Sequence, residues 1–99
     1  MATRTADAEL VLAAGRGDTA AFGLLLEGHR ARLNHQALAL LGNPQDAAAA
    51  VQDTFLIALR RLSELRDPEA FSGWLARIQR NVCSAQQERH RREVALVRP

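Results

Sequence analysis

Asn81 stands in a run of guanidinium groups and small polar side chains. Arg77 and Arg80 lie just before it; Ser84, Gln87, Arg89, Arg91 and Arg92 follow. A carboxamide offers both donors and an acceptor, and guanidinium groups pair with phosphate. Residues 1–69 hold seven Arg against nine acids, whereas residues 70–99 hold six Arg against two. A basic end on a near-neutral body fits a polyanionic partner, nucleic acid above all. A solvated helix end is the plainer reading of the same charges.

The remaining chemistry-bearing residues assemble no catalytic constellation. His29, His35 and His90 have no second ligand at metal-binding spacing on one helical face. Cys83 is the sole cysteine, which excludes an internal disulfide and a cysteine metal cluster. The stretch Gly15-Arg16-Gly17-Asp18 lacks the length and the Lys of a phosphate-binding loop. No enzyme activity, metal or cofactor is therefore expected. The N-terminus has no secretory pattern, and no run of eighteen apolar residues could span a bilayer, so the chain is expected to be cytoplasmic.

Elements that could position these groups are helical. The apolar content is mostly Ala and Leu, with three Phe, one Trp and no Tyr, which argues against a sheet. Asp7 is expected to cap a short helix from Ala8 to about Ala14, ended by Gly15 and Gly17. Asp18 caps a second, longer helix with an inward row of Phe22, Leu25, Leu26, Leu33, Ala37, Leu40 and Leu41, interrupted by His29. Gly42-Asn43-Pro44 ends it and starts a third helix, with Asn43 as cap and Pro44 in the first position. Its inward row runs Ala47, Val51, Phe55, Ala58, Leu62 and Leu65. Asp67-Pro68 repeats the start signal for a last helix, anchored by Phe71, Trp74, Leu75, Ile78 and Val82. In that stripe Trp74 reads as core before it reads as a platform for a base. The fold class is all-α, a small bundle of three main helices plus a short N-terminal one.

Three motifs in order carry a family resemblance: GDxxAF (Gly17 to Phe22), VQDTFL (Val51 to Leu56) and RDPEAFxxWLxRIxRN (Arg66 to Asn81). Together, over about residues 7 to 93, they resemble region two of extracytoplasmic-function sigma factors, bacterial promoter-specificity subunits of RNA polymerase. The resemblance implies that the VQDTF helix binds the clamp helices of the polymerase β′ subunit, through Asp46, Gln52, Asp53, Leu56 and Arg60, with Arg61 peripheral. It further implies that the 65–70 segment, with Arg66 and Asp67, and the helix after it read and open the promoter −10 element. In that scheme Asn81 recognises a flipped non-template base. Arg77, Arg80, Arg89, Arg91 and Arg92 hold the DNA backbone, and Ser84 and Gln87 reach duplex DNA upstream.

Two departures accompany the resemblance. Ala48 and Ala49 replace acids that many relatives carry at the start of the clamp-binding helix, so polymerase affinity is expected to lean on Asp46, Gln52 and Asp53. The domain is expected to occupy residues 1–93, with 94–99 opening an interdomain linker. The helix-turn-helix region four of complete members has no counterpart in these 99 residues. An anti-sigma factor is an expected partner. The alternative reading is a sigma-like interaction domain that binds such a factor without itself directing transcription.

Overall fold

The computed structural model describes residues 2–97, with side chains from Asp7 onward. Four α-helices and two short 3-10 turns make up the described chain: α1 (Ala2–Gly15), α2 (Thr19–Leu41), α3 (Pro44–Arg61) and α4 (Phe71–Val97), with the turns Leu62–Glu64 and Pro68–Ala70 before α4. The all-α expectation is met, and no strand occurs among the described residues.

Local signals set most boundaries. The Asp18 carboxylate accepts the Ala21 N–H at 3.0 Å, which satisfies one of the donors a helix start leaves open. Asn43 Oδ1 accepts from the N–H groups of Gln45 and Asp46 at 2.8 and 3.0 Å, with Pro44 in the first turn as expected. Between those helices Gly42 adopts φ +72°, and its N–H donates to the Leu38 carbonyl. A side chain would be strained in that left-handed conformation, which is why the turn is so short.

The first helix differs from expectation. It begins at Ala2, so Asp7 lies inside α1 and caps nothing. Residues 2–6 contain no Gly or Pro to stop the helix, and the Asp7 carboxylate is committed elsewhere. Its Oδ2 lies 2.9 Å from His29 Nε2 on α2. His29, read from sequence as a break in the apolar row, is itself buried.

The core gathers one face from each helix: Val11 from α1; Phe22, Leu25, Leu33 and Ala37 from α2; Ala47, Val51, Phe55 and Ala58 from α3; Phe71, Leu75, Ile78 and Cys83 from α4. Leu40, placed in the inward row by periodicity, is 44% exposed, while Leu41 beside it packs on the core. Trp74 and Val82 pack on this core but remain half-buried. Leu62 and Leu65 cover its edge in the same way.

Two polar side chains are buried deeply, and both donate hydrogen bonds. Thr54 donates its hydroxyl to the Ala50 carbonyl one turn back, at 2.7 Å. Gln79 is fully inaccessible, and its amide nitrogen donates to the Leu33 carbonyl at 2.9 Å and to Gln36 Oε1 at 3.1 Å, tying α4 to α2. A little further on, Gln87 donates to the Leu40 carbonyl at 2.9 Å. Beyond these ties α4 makes no further hydrogen bond to the body among the described residues. Its 27 residues span about 40 Å at 1.5 Å per residue, and every residue from Gln87 to Val97 is exposed. The sequence boundary at residue 93 therefore falls within a continuous helix. Arg98 and Pro99, the last residues of the expected linker, lie outside the described residues.

Candidate nucleic-acid and protein interfaces

The outer face of α4 holds the strongest candidate groups. A helix turns about 100° per residue, so Trp74, Arg77, Asn81, Ser84 and Glu88 fall in one row. Arg80 and Arg91 flank that row on one side. Arg77, Arg80, Asn81 and Ser84 lie on the accessible side of the helix, and none of the four side chains has a hydrogen bond or ion pair among the described residues. The half-buried edge of Trp74 thus lies two turns from Asn81 on the same side. Its indole also leans on Phe71, with ring centroids 5.8 Å apart at 43°. It is an anchored side chain with an accessible edge, so core and platform roles are not exclusive.

Asn81 also borders an open groove of about 200 Å³ between α3 and α4, walled by Ile57, Arg61, Ile78, Val82 and Ala85. No residue of the 65–70 segment lines this groove.

The arginines predicted to share one task are not equivalent. Arg91 donates to Glu88 at 2.7 Å, and Arg92 stands 4.0 Å from the same carboxylate. Exposed pairs of this kind are worth little in stability, yet they offset charge that phosphate would otherwise meet. Arg89 points to a different side. It lines an open cavity of about 300 Å³ with Asp53, Leu56 and Arg60 of α3. Gln87 has committed one amide N–H to the Leu40 carbonyl, which leaves its second N–H and its Oε1 for a further partner.

In the 65–70 segment, Arg66 is exposed and without an ion pair among the described residues. Asp67 accepts the Glu69 N–H at 3.0 Å and so caps the turn that leads into α4. That role follows from the Asp-Pro signal, and it gives the carboxylate a task that does not involve anionic DNA.

The outer face of α3 carries the second cluster. Gln52, Asp53, Leu56 and Arg60 are exposed together, with Leu56 49% accessible despite its apolar side chain. Asp46 stands apart from them. It faces the distal part of α4, in an open cavity of about 510 Å³ shared with Gln86, His90 and Arg91. Ala48 and Ala49 are exposed on α3 and add no charge there.

Sequence reasoning missed Asp7, His29 and Arg32 as a connected set. Arg32 lies 2.7 Å from His29 Nδ1, while His29 Nε2 meets Asp7. A guanidinium only donates, so Nδ1 is the acceptor and the ring proton sits on Nε2, from which it is donated to Asp7. The signal was absent because Asp7 and His29 are 22 residues apart. Cys83 is buried, and burial pushes its thiol above the usual range, so it is a poor nucleophile in the folded chain. No group of His, Cys, Asp and Glu among the described residues could hold a metal ion. No helix among them is long and apolar enough to cross a membrane.

The helical bundle thus presents a basic face on α4 and a polar face on α3. The sigma-70 region 2 family model matches residues 25–93, and the chain belongs to that family, in its extracytoplasmic-function branch. Over 77 residues it is 39% identical to the ECF RNA polymerase sigma factor SigM of Mycobacterium tuberculosis, a match covering 78% of this chain and 39% of that protein. It is 33% identical over 82 residues to the RNA polymerase sigma-H factor of Pseudomonas aeruginosa, covering 83% and 42%. The chain thus spans about two fifths of the length of the curated relatives it matches. No solved structure gives a significant match. Family model and relatives alike identify the chain as a sigma factor region 2 domain.

Proposed function

We propose that this domain bridges RNA polymerase and promoter DNA, docking on the β′ clamp helices through α3 and recognising and helping to melt the −10 element through α4 and the 65–70 segment. The carrying observation is the exposed, unpartnered Asn81 flanked by Arg77 and Arg80, which also lack partners among the described residues. Guanidinium groups supply salt-dependent affinity and register, and the amide supplies base choice. Unstacking a base costs a few kcal/mol, which contacts to the extruded base must offset. Asn81, with the accessible edge of Trp74 in the same row, provides such contacts. On α3, Gln52, Asp53, Leu56 and Arg60 form the polymerase-facing surface, and the activity belongs to the cytoplasm, where polymerase acts.

Binding of single-stranded non-template −10 DNA tests this reading. Affinity is expected to fall with salt, and Asn81→Ala is expected to lose about 1–3 kcal/mol at one base position and little at the others. Equal losses for every base would overturn the role given to Asn81.

A second reading draws on the exposed Ala48 and Ala49, which leave the start of α3 without the acids of many relatives. In it the domain binds an anti-sigma factor and does not direct transcription. Tight binding to such a factor, with no binding to clamp helices or to −10 DNA, is its signature.

A further inference from the structure

The 65–70 segment runs from the end of the Leu62–Glu64 turn to the start of α4. Its backbone is held by the Leu65 N–H on the Leu62 carbonyl, the Ala70 N–H on the Asp67 carbonyl, and the Phe71 N–H on the Pro68 carbonyl. Phe71 is the first residue of α4 and is fully buried, so it fixes the end of the segment at which α4 begins. What holds Phe71 therefore holds one end of the segment. One ring edge comes from His29, whose centroid lies 5.4 Å from that of Phe71 at 64°, an edge-to-face approach. The two ring nitrogens of the imidazole are held by Asp7 at 2.9 Å and Arg32 at 2.7 Å. A ring held at both nitrogens cannot turn without breaking a bond. Asp7 in turn belongs to α1, the helix that packs directly against the Pro68–Ala70 turn.

We propose that Asp7 and His29 are positioning residues for the 65–70 segment: the Asp7–His29–Arg32 chain fixes the imidazole, the imidazole fixes Phe71, and α1 is clamped against the turn that presents Arg66 and Asp67. Asp7 is only partly buried and touches no outer face of α3 or α4, so its effect on DNA is exerted through His29 and α1. The DNA side of this assignment rests on the −10 reading above; the mechanical side does not.

Hydrogen exchange on the whole chain separates the two. In Asp7→Ala, a change that α1 accepts readily, the amides of Leu65, Ala70 and Phe71 are expected to exchange about ten-fold faster than in the unaltered chain under conditions well below unfolding. Amides of Val51 to Ala58 in α3 are expected to keep their rates. His29→Leu is expected to reproduce this pattern. In His29→Gln, where an amide can still donate to Asp7 and accept from Arg32, the rates are expected to move back toward those of the unaltered chain. Unchanged rates at the three amides in Asp7→Ala, or rates that rise only in step with those of α3, overturn the assignment. Asp7→Ala is further expected to weaken single-stranded −10 DNA binding several-fold and leave low-salt binding to random duplex unchanged. An unaltered chain that ignores single-stranded −10 DNA overturns the −10 reading instead, and the exchange rates then decide the positioning role by themselves.

Discussion

Between Phe71 and Cys83, α4 buries five side chains, including the polar Gln79; between Ser84 and Val97 it buries none. The composition changes at the same place. The first half alternates Phe, Leu, Ile and Cys with polar residues at helical spacing, while the second half carries three Arg, two Glu and the exposed Val94, Leu96 and Val97. One uninterrupted helix is therefore stabilised by two different means. The first half is held by packing against the bundle, and the second is held mainly by its own backbone bonds, its helix propensity and pairs such as Arg91 with Glu88. The groups proposed to meet DNA sit mostly at the junction, where a rigid foundation and an open face coincide.

Deleting core on one side and apolar surface on the other gives the largest contrast. Phe71→Ala or Leu75→Ala is expected to cost about 3–5 kcal/mol in urea unfolding, and Leu96→Ala less than about 0.5 kcal/mol. Similar losses would mean that the end of α4 packs on something in solution.

Charge gives the next contrast. Replacing Arg77 and Arg80 together with Ala is expected to lower the salt dependence of single-strand binding by about 0.7 in log–log slope for each phosphate no longer neutralised. Replacing Arg91 and Arg92 is expected to change it less, because Glu88 already engages both. The reverse order would move the DNA-binding surface to the exposed half.

Asp67→Ala removes the cap at the entry to α4, with an expected cost of about 1 kcal/mol in the same unfolding experiment.

The smallest stability effect concerns Cys83. Burial raises its folded value, so the neutral thiol favours the folded state. That contribution is complete below the unfolded value of about 8.5 and is lost as pH climbs through the raised one. Stability should thus decline slightly in alkaline buffer, and Cys83→Ser, whatever its own packing cost, should remove that decline. Labelling sharpens the boundary between the halves: Cys83 should resist alkylation in the native chain, whereas a cysteine placed by Ser84→Cys in a Cys83→Ser background should react readily.

What could be read from the sequence follows the range over which each signal acts. Asn43 with Pro44, and Asp67 with Pro68, were legible as helix starts because a cap and its acceptor bonds lie within three residues. The α3 row was legible because it is a clean apolar stripe. Asp7 was misplaced because an acid near a helix start fits a cap equally well, and its true partner lies on another helix. Gln79 escaped notice because it is polar, although it continues the spacing of Phe71 and Leu75 toward Cys83. For the candidate site, the sequence gathered the arginines as one basic run. It could not show that Arg89 shares a cavity with Asp53 while the Arg77 side chain stays free of partners among the described residues, because the side of a helix that neighbours cover depends on the packing of α3.

The bond from Gln87 to the Leu40 carbonyl is the last hydrogen bond between α4 and the body among the described residues. In mechanical terms it is a pivot, and the ten residues beyond it are a lever about 15 Å long. A tilt of about 10° at the pivot would swing the tip by roughly 3 Å, a full hydrogen-bond length, while Asn81, on the body side of the pivot, would scarcely move. A partner that grips the tip could therefore turn the distal arginines without disturbing the amide proposed to choose the base.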